Sequence, residues 1–191
     1  MMKPAIEKGC YGYIDRRQKN QFIKAMICAA VVAFFIILGL IIFGTKFNLL
    51  MVPGMCMVLP FANFFVSWIA VSKYITASPA MYENVQAFDE AGMLLSDLVF
   101  VDEKGSRYFC EFAVIYKNGI IVYSSEKKLQ PYKVEVHVND LLKRRGIPMR
   151  LKVFKDWNEF LQRIDGVEAA TEEADTRRVE LARETIINTC I

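Results

Sequence analysis

The chain has 191 residues, 54% of them hydrophobic, a net charge of +3 and five cysteines. That length admits one ordinary domain, or a smaller one joined to a membrane anchor. The cysteines, at positions 10, 28, 56, 110 and 190, are odd in number and form no Cys-x-x-Cys pair, and His137 is the lone histidine. This excludes a disulfide framework and a clustered zinc site, implies no metal or other cofactor, and fits a reducing compartment.

Residues 1–24 form a basic amino-terminal segment. Ala25 to Phe43 then runs for 19 residues without a charge. As a helix it would be roughly 28 Å long, the thickness of a bilayer's hydrocarbon core. It lacks the polar stripe of a core helix. A long polar lead-in and the want of a small-x-small cleavage site argue against a signal peptide. A second apolar run, Leu49 to Val71, follows after Gly44-Thr45-Lys46-Phe47-Asn48, and so short a link predicts an antiparallel transmembrane hairpin over 25–71. Lys3, Lys8, Arg16, Arg17, Lys19 and Lys24 precede the first span and Lys73 follows the second, against Lys46 between them. That bias places the protein in the cell membrane as a multi-pass protein with both termini cytoplasmic, the lipid bilayer its first partner.

Pro53 lies near the start of the second span, and Pro60, in its middle, predicts a kink. Asn63 is the most polar side chain in either span and a candidate intramembrane polar contact. The expectation is a hydrogen bond to the first helix or to carbonyls freed by Pro60; the alternative is an oligomer seam or a conduit lining. Tyr11, Tyr13, Phe47, Trp68 and Tyr74 fall where interfacial aromatics belong.

The remainder, 72–191, has 17 basic and 19 acidic residues. So balanced a charge gives no footprint for nucleic acid, and none is expected as a partner. Ser78-Pro79 opens a helix predicted over 79–95, with Met81, Val85, Phe88 and Leu95 on its apolar side. Leu98 to Val101 reads as a short strand, Glu103 to Ser106 as a turn, and Arg107 to Tyr116 as a longer strand. Asn118-Gly119 is a hairpin signal, because both residues tolerate positive φ. A third strand, Ile120 to Ser125, completes an antiparallel meander. Val134, Val136 and Val138 alternate like a strand, yet Val134, Val138, Leu141 and Leu142 share a helical face; Pro131 and Gly146 at the ends favour a helix over 132–145. Met149 to Phe154 is a fourth strand. Asp156 caps a short helix, with Glu159 as its reciprocal partner, ending at Gly166. Glu168 to Asp175 is acidic and expected in solvent, before a last helix over 175–189. The fold class is therefore a membrane α-helical hairpin plus a small α/β (α+β) domain, ordered helix, three-stranded antiparallel meander, helix, strand, two helices.

Over about 80–155 that order resembles the core of the restriction-endonuclease-like fold. The resemblance implies Mg²⁺ held by an Asp on the second strand and a Glu-x-Lys on the third, activating water. Here the second strand reads Cys110-Glu111-Phe112, and the Glu position of the third falls on Ser124 or Ser125, with Glu126 directly before Lys127. Cys110 and His137 offer a nucleophile and a base, but Cys110 sits among aromatics mid-strand, where a cysteine is a small core residue. The whole chain is also similar to a group of small bacterial two-span proteins with Gly-Tyr-Ile before the first span, here Gly12-Tyr13-Ile14, and Leu-Pro in the second, here Leu59-Pro60. Some of them carry the label "O-linked GlcNAc transferase-like", but no nucleotide-sugar motif accompanies it here.

Lys143, Arg144, Arg145 and Arg150 form the densest basic patch, expected to contact lipid headgroups or a partner, or simply to complement a helix C-terminus. Trp157 is expected in the core. The leading functional expectation is a non-catalytic cytoplasmic module that binds a protein partner or self-associates. The alternatives are a membrane-bound enzyme with a diverged nuclease-like or transferase domain, and a small permeation component built from the hairpin.

Overall fold

In the computed structural model the described residues are 8–43, 51–101, 105–127, 129–167 and 173–190. They fall into two compact units, Ile14–Ile75 and a discontinuous one made of Met1–Tyr13 with Thr76–Ile191.

The first unit holds α1, Tyr13–Phe43, and α2, Met51–Ser72. Both are long and apolar enough to cross a membrane, and only 17% and 11% of their most apolar stretches is buried. α1 starts well before the uncharged run, because extending an existing helix through Gln18 to Lys24 costs far less than starting one. The helices are antiparallel. The Gln18 amide donates to the carbonyls of Val71 at 2.7 Å and Tyr74 at 2.5 Å, Phe22 meets Trp68 at 5.5 Å, and Gly54 lies against Phe35. The expected loop with Lys46 and Phe47 is outside the described residues.

The second unit is a sheet between two helical layers. It comprises α3 (Pro79–Glu83), α4 (Gln86–Glu90), β1 (Leu94–Val101), β2 (Arg107–Tyr116), β3 (Gly119–Tyr123), α5 (Pro131–Arg144), β4 (Arg150–Phe154), α6 (Trp157–Ile164) and α7 (Glu173–Thr189). The strands lie in the order β1-β2-β3-β4, antiparallel except that β4 runs parallel to β3. From Phe112 onward, successive β2 residues serve opposite faces, as a pleat requires. Ala113 and Ile115 pack with Val134, Val138 and Leu142 of α5 and Ala182 and Ile186 of α7. Phe112 and Val114 pack with Phe160 and Ile164 of α6 and with Val85 and Met81.

Several boundaries differ from expectation. The predicted helix over 79–95 is two short helices broken at Asn84-Val85, and β1 begins at Leu94. Leu94 and Leu95 are both buried, in different core clusters on opposite faces of the sheet, which a strand allows and one helical face does not. Helix is right for 131–144, where Val134 and Val138 are buried while Val136 is 49% exposed. The turn after β2 is Lys117-Asn118, without positive φ. Gly119 is needed for a different reason: a Cβ there would stand 2.8 Å from the Arg150 carbonyl oxygen of β4. Asp156 caps α6 by accepting from the N–H groups of Asn158 and Glu159. Asp175 is buried, not solvated, and pairs with Lys117 at 2.9 Å; residues 168–172 are outside the described residues, as are 102–104.

Both sheet edges are covered. On β4 the Asn139 side chain accepts from Leu151 N–H at 2.7 Å and donates to Leu151 C=O at 3.2 Å, and Glu135 accepts from Val153 N–H at 2.9 Å. On β1 the Gly9 carbonyl accepts from Ser96 N–H at 2.7 Å, and Cys190 bridges to Phe100. Tyr11, expected at a membrane interface, instead stacks on Tyr82 at 4.2 Å and donates to the Ala77 carbonyl at 2.7 Å. Residues 8–13 thus belong to the α/β unit. Unpaired strand edges invite association with other chains, and these contacts close them.

Candidate functional site

Two places on the α/β unit gather polar side chains. The first lies where β1, β2 and β3 diverge. β3 leaves its ladder after Tyr123, opposite Phe112, and side chains take over the pairing. Ser124 Oγ donates to the Phe109 carbonyl at 2.6 Å, and Phe109 N–H donates to Glu126 Oε2 at 3.2 Å. Ser125 donates both its hydroxyl and its N–H, the latter at 3.0 Å, to the Glu111 carboxylate. Glu111 is 5% exposed. Burial pushes its carboxyl above the ordinary range, and nearby Glu126 adds to this; the Ser125 donors work against both.

Asp97 sits in this neighbourhood as well. The register carries it across from Glu111, between the pairs Ser96–Phe112 and Leu98–Cys110. It is buried, its backbone is left-handed at φ 57°, and it accepts from Thr76 Oγ1 at 2.8 Å. A non-glycine residue with positive φ inside a strand is rare and marks a break in the pleat. Accordingly Leu98 and Cys110 pack in the same layer as Leu95 and Ala113, a change of side-chain parity on both strands at the Asp97–Glu111 position.

Within the cluster the Glu111 carboxylate is engaged by Ser125. A hard cation needs carboxylate oxygens with free lone pairs converging on one point. Glu111 gives its oxygens to Ser125, and among the described residues no three His, Cys, Asp or Glu side chains converge. Cys110 is wholly buried and its thiol is pushed well up by desolvation, the reverse of what a nucleophile requires. Trp157 packs on Phe160 at 5.4 Å and Tyr123 at 4.9 Å.

The second place is open. A cleft of about 700 Å³ runs between α5 and β4, lined by Val136, Asn139, Asp140, Lys143, Ile147 and Arg150 among others. Of the four basic residues singled out by sequence, it brings Lys143 and Arg150 together. Arg144 turns to Asp140 at 2.7 Å in an exposed i,i+4 pair, which contributes little to stability. Arg145 is the exposed C-cap of α5. Tyr132, 75% exposed, and Val136 continue the Lys143 face of α5 at helical spacing. Asn63, in the other unit, is exposed on α2, with no hydrogen bond to α1 or to the carbonyls around Pro60 among the described residues.

No family model, curated protein or solved structure matches the chain.

Proposed function

We propose that the chain is a non-catalytic module, held in the cell membrane by α1 and α2 with both termini cytoplasmic, that recruits a protein partner through the α5–β4 cleft. The observation that carries this reading is the contrast between the two polar sites. Glu111 is buried and held by Ser125, whereas the cleft exposes Lys143 and Arg150 beside Val136, with Tyr132 exposed further along the same face of α5. Aromatic and aliphatic contact area next to a basic side chain is the composition of a protein-binding hot spot. The capped β4 edge argues that the partner docks by side chains, not as an added strand.

The helix, three antiparallel strands, helix and parallel strand support reading the domain as a restriction-endonuclease-like core. In that reading Ser125 stands where a second carboxylate would complete a cation site, and its donors lock Glu111 in place. Membrane residence is supported by the bare apolar surface of α1 and α2, which water would not tolerate; the basic residues flanking them support the orientation.

The test is affinity capture of the full-length protein from detergent, comparing the wild type with Lys143→Glu/Arg150→Glu. The reading predicts a specific polypeptide that co-purifies with the wild type and is lost from the double variant. The same partners on both proteins would overturn it.

A further inference from the structure

From the geometry of α2 we infer that the protein pairs with a second copy of itself inside the bilayer, through a seam centred on Asn63. The inference rests on the membrane reading above and adds the occupant and the contact. α2 meets α1 through Gly54, Phe64 and Trp68, which lie against Phe35, Lys24 and Phe22. At 100° per residue Asn63 points well away from that line. Cys56, Leu59 and Val66 fall within about 60° of Asn63, and all four are exposed, Leu59 at 77% and Val66 at 63%. The stripe is apolar at both ends and polar in the middle.

A primary amide has two donors and an acceptor with two lone pairs. In hydrocarbon no water meets them, and a polar side chain there is stabilised when another protein group does. Asn63 has no such partner within its own unit among the described residues. An identical amide is the simplest complement, since Asn donates and accepts in one plane. Two α2 helices related by a two-fold axis along the membrane normal place Asn63 against Asn63, with Leu59 and Val66 packing around the pair. A single buried Asn pair also fixes register, because sliding the helices leaves both amides in lipid. The same axis brings Cys56, two turns away on the stripe, close to Cys56 of the other copy.

Cys56 makes the seam testable in the full-length protein. Membranes containing the protein are oxidised with copper phenanthroline and run without reductant. The expected result is a disulfide-linked dimer that disappears in Cys56→Ala. Dimerisation in lipid vesicles is followed in parallel by energy transfer between labelled copies. There Asn63→Leu should weaken association about tenfold, and Asn63→Gln, which keeps the amide, should retain most of it. Three results would overturn the inference: a monomeric wild type in vesicles, an Asn63→Leu dimer as tight as the wild type, or a Cys56 cross-link to a different polypeptide. A protein that fails to enter the membrane at all would instead overturn the membrane reading, so the two failures are distinct.

Discussion

Gly9 offers the sharpest test of the discontinuous α/β unit. It holds φ +87°, and a Cβ there would stand 2.7 Å from Cδ2 of Leu95, a side chain that is fully buried. Gly9→Ala therefore incurs two costs. A left-handed backbone costs a non-glycine residue about 1–2 kcal/mol, and overpacking a filled core costs about 1–3 kcal/mol. The total of roughly 2–5 kcal/mol corresponds, for a domain near this size, to a fall in Tm of the order of 10 °C or more. Gly12 supplies the control. Its φ is +81° but a Cβ would meet nothing within 4 Å, so Gly12→Ala should show the backbone cost alone, about 1–2 kcal/mol. The assay is thermal unfolding of the full-length protein in detergent, read from Trp157 fluorescence in a Trp68→Phe background. If Gly9→Ala melts with the wild type, the segment before α1 does not dock on β1. Equal losses for the two variants would refute the steric part of the reasoning.

Two further predictions concern the sheet. The raised carboxyl of Glu111 means that the folded chain holds a proton the unfolded chain has already lost. Its contribution to stability is therefore present below the ordinary Glu range and declines as pH rises through the folded value. Glu111→Gln is neutral throughout, so urea midpoints should diverge in its favour as pH rises above the ordinary Glu range; a gap that is flat or widens toward acid would contradict this. Asn139→Ala removes both side-chain bonds to Leu151, for an expected loss of about 1–2 kcal/mol. It also bares the β4 edge, so light scattering on warming should rise earlier than in the wild type. An unchanged melt and scattering onset would show that the edge is protected by other means.

How far the fold was legible follows from the range of each signal. The two apolar runs, the Val134/Val138/Leu142 face and the Asp156 cap are local patterns, and each was readable in place. β1 was not read in full because Ser96 and Asp97 interrupt its apolar run like a loop, and only tertiary burial makes them part of a strand. The docking of Gly9 on Ser96 joins positions far apart in the chain, a relation that no periodicity carries. Glu135 and Asn139 look like solvent-facing positions of an amphipathic helix, since the strand edge they serve is built later from β4. At the candidate sites Ser124 and Ser125 were visible at the end of the third strand, but the grip of Ser125 on Glu111 was not. Lys143 and Arg150 stood out as charges, while the cleft between them needs the α5–β4 turn. Asn63 stands out in sequence as the most polar side chain in either span, but its outward direction depends on how α1 and α2 pair.

The most direct test of the account is an alkaline carbonate wash of membranes from cells making the full-length chain. Its two helices are long and apolar enough to cross a membrane, and the account predicts that the protein remains in the pellet and is released only by detergent. Quantitative release into the carbonate supernatant would contradict the account at its root.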